Sequence, residues 1–453
     1  MIEIAQNGIR DFGTVIRELF RRPAWQSLFC ARRLTSGRFV FMKQVTAIVI
    51  GAGARGKTYA DYALENPSEL KIIGVAEPNA ARRNVFQKTH CLNDASCFSD
   101  WKEILGKEKM ADVAIIATMD QMHYAPAIAA LKLGYDLLLE KPISPSLKEC
   151  EEIASLAKAE GRKVLVCHVL RYTPFFQLVK QLVSDGAIGD IVSIQHNENV
   201  GYLHQVSSFV RGNWRKASDA SPMILQKSCH DLDILQWLAE SEAEVVSSFG
   251  GLYYFKKENA PDGAPEYCMD GCAHSLRCPY YAPKIYLGDS RFDWMKGAVA
   301  VDISPENISK VLPRSQYGRC VFHCDNDVVD HQVVNIRFKN NITVAFTMCA
   351  FTQHIDRTLK IMGTKGELKG KMNDDGNEIR VFNFETGVSA AYYPALASSG
   401  HGGGDAGIVR DLVRYLNGYP VGSALTEIEE SLRSHRMAWA AEQARLEEKV
   451  IYC

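Results

Sequence analysis

No stretch of these 453 residues approaches the ~20 consecutive apolar residues that a membrane-spanning helix needs. Charge of one sign is missing too. The 52 basic and 53 acidic side chains leave a net charge of −1, so no global basic field draws the chain to nucleic acid or a membrane surface. No charged-then-apolar segment of the secretory kind opens the sequence, and no Cys-x2-Cys pair occurs in it. The 13 cysteines are an odd number. Together these features predict a cytoplasmic protein with free thiols or a metal site rather than a disulfide scaffold. What is present is ordinary globular composition, 47% hydrophobic and 23% charged, enough for two or three domains with real cores.

Residues 1–41 stand apart. They hold seven arginines, no lysine and only Glu3, Asp11 and Glu18 as acids, whereas lysine is plentiful beyond Met42. The segment reads as a non-native or disordered extension. An Arg-rich targeting peptide or a partner-binding helix are the other readings.

From Val45 the pattern is strand, glycine turn, helix: TAIVI, then Gly51-Ala52-Gly53-Ala54-Arg55-Gly56, then KTYADYALE. A second buried strand, Leu70–Ala76, ends in Glu77, 21 residues after Gly56. In a G-x-G-x-x-G turn the first glycine allows the sharp bend, the second lets backbone approach a pyrophosphate, and the third lets helix and strand pack. The helix N-terminus offers N–H groups to phosphate. An acid at position 77 suits the ribose hydroxyls of NAD and repels a 2′-phosphate, while Arg82 and Arg83 leave NADP open. The alternation continues through Val113–Ala117 with Thr118, Asp120 and His123 behind it, then Leu137–Leu139 with Glu140-Lys141-Pro142, then Val164–Cys167. Such alternation predicts a doubly wound parallel sheet with ligand at the C-terminal ends of its strands.

Gly51–Gly56, Glu77, Glu140-Lys141-Pro142 and Cys229-His230-Asp231-Leu232-Asp233 together resemble the Gfo/Idh/MocA oxidoreductases, the relatives of glucose–fructose oxidoreductase and inositol dehydrogenase. The likeness spans roughly residues 42–450. It implies an α/β protein: an NAD(P)-binding Rossmann domain over 42–168, then a substrate domain over 169–453 with a large, mostly antiparallel sheet. Direct reading agrees, with a hairpin around Asn340-Asn341, further extended runs, a Cys-rich insertion at 256–325, and a C-terminal helix with a capping-box spacing from Thr426 to Glu429. The resemblance also implies a sugar, glycoside or polyol substrate, a cis bond before Pro142, and a cofactor role for Arg171, which opens the first segment beyond the Rossmann strands.

Oxidising a carbinol needs a hydride acceptor over the C–H and a destination for the O–H proton. Lys141 at a strand end and His230 are the expected catalytic pair, with Asp231 or Asp233 orienting the imidazole or capping the following helix. Where the family's dehydrogenase pattern carries Asp four positions before the histidine, this chain has Gln226. Tyr202, His204, Arg211, Trp214 and Arg215 gather after a strand and, with Gln226 and His401 of the His-Gly-Gly segment, are the expected substrate contacts. Cys268, Cys272, Cys278, Cys320 and Cys324 could supply four soft ligands to a structural zinc pinning an insertion without a core of its own; separately packed thiols are the alternative. Three functions fit. The first is an NAD(P)-dependent sugar or polyol oxidoreductase. The second is an NAD-retaining, redox-neutral glycosidase or lyase working through a keto-sugar. The third is a non-catalytic NAD-binding regulator. A homo-oligomer is expected of the open sheet face.

Overall fold

The computed structural model describes residues 42–288, 293–396 and 400–453. The extension expected at 1–41 lies outside them. Among the described residues no helix is long and apolar enough to cross a membrane.

Short, mainly apolar runs form the first sheet because both of its faces are covered. Its strands are β1 (Val45–Ile50), β2 (Leu70–Ala76), β3 (Cys97–Phe98), β4 (Val113–Ile116), β5 (Asp136–Leu139) and β6 (Val164–Val166). All pairings are parallel, in the order β3-β2-β1-β4-β5-β6. The order reverses at β1, whose neighbours are β2 and β4, so the crevice beyond Ile50 is the switch point where doubly wound sheets take ligands.

The second sheet has nine strands: β7 (Ile191–Asn199), β8 (Ala243–Gly251), β9 (His331–Phe338), β10 (Thr343–Cys349), β11 (Asp356–Gly363), β12 (Gly366–Asn373), β13 (Glu378–Asn383), β14 (Ser389–Tyr392) and β15 (Ile451–Tyr452). Only β7 and β10 pair in parallel; the rest of the sheet is antiparallel. β9 alternates exposed and buried residues along its length, the signature of a sheet with one packed and one open face. The predicted hairpin is present, with Asn341 in the left-handed region at φ +68°.

Two expectations about the second half are corrected. Thr426 does not cap the C-terminal helix Ile428–Glu447, whose N-cap position is Glu427. The Thr426 hydroxyl instead donates to the Val166 carbonyl at 2.6 Å, and a bridge between Leu165 and Glu427 ties this segment to β6. The spacing was right for a cap, but a buried strand end competed for the hydroxyl. The insertion, in turn, does have a core. Phe255, Ile285, Tyr286, Met295, Ile308, Leu312 and Phe322 form a buried cluster with Val206 and Val210. Apolar burial holds it, so no metal is needed for that purpose.

Candidate active site

The glycine turn behaves as its spacing requires. Gly51 has φ +90°, and a Cβ there would lie 2.6 Å from the Ala117 carbonyl oxygen. A Cβ on Gly56 would sit 1.9 Å from the Gly51 oxygen, so only glycine lets the helix Ala54–Glu65 pack this closely. Gly53 differs: nothing lies within 4 Å of where its Cβ would be. That open space at a helix N-terminus is the approach a pyrophosphate needs. Glu77, at the end of β2, accepts from the amides of Ala52 (2.8 Å) and Asn79 (2.9 Å), which fixes its carboxylate beside the turn. These residues fit a dinucleotide.

Arg55 leaves the same turn for a buried polar cluster. Its guanidinium donates to Glu140 (2.7 Å), Asp405 (2.6 Å) and the Tyr59 hydroxyl, and Tyr59 donates to Glu140 at 2.6 Å. Burial would raise the Glu140 carboxyl, but Arg55 and then Lys141 hold it below its usual range. Glu140 also accepts from the Lys141 amide at 2.8 Å. The peptide between Lys141 and Pro142 is cis, as the resemblance implies.

Lys141 emerges at the end of β5 and donates from Nζ to the Gln226 carbonyl at 2.8 Å. His230 sits on the helix Cys229–Ala239, which is buried along its whole length. That helix is locked by two ion pairs, Asp233 with Arg171 and Asp231 with Arg357 at 2.8 Å, and by a hydrogen bond between Asp231 and His196 at 2.8 Å. Neither ring nitrogen of His230 has a partner among the described residues. Its ring lies 5.7 Å from that of His401 and 5.9 Å from that of His168, centroid to centroid. Burial first, then the Lys141 ammonium, His401 and His168, push His230 well below its ordinary value, so it is neutral. Lys141 thus bonds a carbonyl four residues before His230, near enough for its ammonium to act on the His230 ring. His401 Nδ1 faces both Asp405 oxygens at 3.2 Å and remains 36% exposed, the member of the cluster most open to water.

Several expected contacts are corrected. Arg171 is 1% exposed and makes two 2.7 Å bonds to the Asp233 carboxylate, so it anchors the His230 helix rather than meeting a cofactor. Arg211 is fully buried; it donates to the Arg319 and Tyr280 carbonyls at 2.7 Å and lies 3.6 Å from the Cys268 sulfur. It clamps the insertion and touches no substrate surface. Its cation also lies among the thiols of Cys268, Cys320 and Cys324. Among the described residues no three His, Cys, Asp or Glu side chains form a group able to hold a metal, so Cys268, Cys272, Cys278, Cys320 and Cys324 are free thiols and the zinc expectation is withdrawn.

Asp120 is occupied by Ser221 (2.8 Å) and the Trp214 indole (3.3 Å). The buried His123 ring bridges the carbonyls of Pro142 (2.7 Å) and Thr118 (3.1 Å), bracing the two turns at the cleft. Arg215 pairs with Asp325 at the surface. Tyr202 and His204 stay half-buried beside the insertion. Residues to which sequence reasoning gave no site role are Tyr59, Asp405, His168, Lys227, Arg357 and Trp294. Asp405 alone carried a signal, its place in the glycine-rich His401 segment.

Comparison with known proteins places these features. A model of the Gfo/Idh/MocA oxidoreductase family's NAD-binding Rossmann fold matches residues 45–168, and the model of that family's C-terminal α/β domain matches 180–392. YteT of Bacillus subtilis, named as an oxidoreductase, is 26% identical over 322 residues, 66% of this chain and 72% of YteT. The 2,7-anhydro-N-acetylneuraminate hydratase of Escherichia coli is 28% identical over 203 residues, 45% of this chain; the match spans about half, 52%, of the hydratase. Among solved structures, the WlbA dehydrogenase of Bordetella pertussis, in complex with NADH and UDP-GlcNAcA, superposes with a TM-score of 0.63 at 14% identity, covering 91% of this chain and 98% of WlbA. At that identity the likeness is one of fold.

Proposed function

This chain belongs to the Gfo/Idh/MocA oxidoreductase family, and from that premise we propose that it moves a hydride between NAD and a hydroxyl-bearing carbon of a sugar or polyol. One observation carries the reading: the Lys141 ammonium, held on the Gln226 carbonyl at 2.8 Å, lies near enough to depress a neutral His230 imidazole whose ring nitrogens have no partner among the described residues. Gly51–Gly56 and Glu77 would hold the dinucleotide, with Thr118, Glu140 and Lys141 bordering the far end. The buried Glu77 carboxylate disfavours a 2′-phosphate there, hence NAD over NADP.

The dinucleotide supplies the hydride acceptor. Everything else is the chain's own work. A substrate hydroxyl lodged between the two groups loses its proton to a ring nitrogen of His230, which burial keeps unprotonated and able to accept. Lys141 donates to the same oxygen and stabilises the negative charge developing on it. Holding the ammonium against the Gln226 carbonyl costs that carbonyl nothing when Lys141 turns to substrate, because Lys carries three donors.

A second reading keeps the same groups but returns the hydride, so that an elimination or hydration occurs with no net oxidation. Gln226 in place of a carboxylate and the hydratase relative favour it. The test is incubation of the NAD-loaded protein with a panel of sugars, polyols and glycosides. Net accumulation of reduced nicotinamide supports oxidation; altered product without accumulation supports the redox-neutral route. Lys141→Met should abolish turnover in either case while the protein still binds NAD. Turnover retained by that variant would remove the lysine, and with it the proposal.

A further inference from the structure

We propose that the substrate is an acidic sugar whose carboxylate is received by Lys227 and Arg357 and whose ring rests against Trp294. The proposal deepens the reading above and rests on it.

The argument begins with which member of each buried ion pair reaches the surface. Glu198 forms ion pairs with Lys227 at 3.1 Å and with Arg357 at 2.5 Å, and Arg357 also pairs with Asp231 at 2.8 Å. The side chains of Glu198 and Asp231 are 0% exposed, whereas those of Lys227 and Arg357 keep 14% and 10%. The acids thus form a floor and the cations lie above it. Coulomb attraction falls with distance, so an incoming group feels the nearer, positive layer. The anchored cations are also already desolvated and oriented, which lowers the cost of receiving an anion.

His204 reports the field above this layer. Its Nδ1 is buried without a partner. After burial itself, the groups acting most on its ring are Lys227, Arg357, His401 and Lys141, all of which drive its proton off. Lys227 follows Gln226, whose carbonyl holds the Lys141 ammonium at 2.8 Å, and Arg357 pairs with Asp231 beside His230 at 2.8 Å, so this layer borders the groups proposed for the chemistry. The indole of Trp294 stands nearly perpendicular to the His204 ring at 5.0 Å, with half its surface, 51%, in solvent. An indole held by one ring contact and half in solvent suits the apolar C–H face of a pyranose.

The chemistry favours a carboxylate over a phosphate. Arg357 is engaged by two acids already, and Lys227 is paired with one. A monoanion can be satisfied by what remains; a phosphate dianion asks for more.

Calorimetry on the full-length, NAD-loaded protein tests this with matched pairs that differ only in the carboxylate: glucuronate against glucose, galacturonate against galactose. Galactose 6-phosphate is the phosphate arm. The uronates should bind at least about tenfold more tightly than their neutral partners, a gap that narrows at high salt. Lys227→Gln should erase the gap without weakening NAD binding, and Trp294→Ala should weaken acid and neutral members alike. If Lys227→Gln does not fold, the wild-type salt dependence and Trp294→Ala carry the test. Neutral sugars binding as tightly as uronates, no uronate binding, or the phosphate binding best would each overturn the proposal. Failure to bind NAD would instead overturn the function on which it rests.

Discussion

Substituting alanine at Gly53 and at Gly56 separates the work of the two glycines. At Gly53 the backbone (φ −70°, ψ −167°) is open to any L-residue and nothing lies within 4 Å of the new methyl. Removing a glycine from the unfolded chain stabilises by ~0.4–1 kcal/mol. Losing glycine at a helix N-cap takes back a similar few tenths to ~1 kcal/mol. Gly53→Ala should therefore unfold within about 1 kcal/mol of wild type. Its methyl, however, occupies the space through which a pyrophosphate approaches. Overpacking of one methyl costs ~1–3 kcal/mol, so NAD should bind roughly five- to 150-fold more weakly. Gly56→Ala puts a carbon 1.9 Å from a backbone oxygen that cannot move without shifting β1, and should lose ~3 kcal/mol or more of stability. Denaturant melts and NAD titration of both variants check the pair. Wild-type NAD affinity in Gly53→Ala would refute the assignment of that space to the dinucleotide.

The buried imidazoles predict acid sensitivity. His168, His204 and His230 are held well below their usual value, and burial with His168 brings His435 down to about 3. The unfolded chain binds those protons near pH ~6.5 and the folded one does not. Stability is therefore complete above that pH and is lost as pH falls, by about 1.4 kcal/mol per unit for each imidazole; melting temperatures flat between pH 7 and 5 would contradict this. Arg171→Met breaks a fully buried pair and should cost ~3–5 kcal/mol in a denaturant melt. The folded variant should bind NAD as wild type does; weakened NAD binding at wild-type stability would return Arg171 to the cofactor site.

The parallel sheet was legible because its strands are continuous apolar runs closed by a glycine turn whose spacing has one mechanical use. The β9–β10 hairpin was legible for the opposite reason, strict alternation around Asn340-Asn341. Charged residues misled wherever burial reassigned them. Arg171 and Arg211 have the residue type of ligand contacts, and only packing reveals that Asp233 and two carbonyls have consumed them. The cysteines misled for a related reason: their spacing suggested a cage, but a guanidinium lies among them. Lys227 and Arg357 were invisible because their shared partner, Glu198, is on a third element, β7, and no local pattern joins the three.

The glutamine at 226 bears on which chemistry the cleft performs. Lys141 takes only a backbone carbonyl from that position, so any residue would serve it, and the Gln226 Oε1 has no partner among the described residues. A carboxylate there would favour the imidazolium of His230 and make it a stronger base. With an amide the base is weak and gives its proton back readily. A reaction that returns the proton to the same substrate works with such a base. Net oxidation must discharge the proton to water, and the open route is His401, 5.7 Å away ring to ring, 36% exposed and braced by Asp405. The two readings therefore place different demands on the His401–Asp405 pair: essential to every turnover in a dehydrogenase, and dispensable for proton balance where the hydride and the proton both return to the substrate.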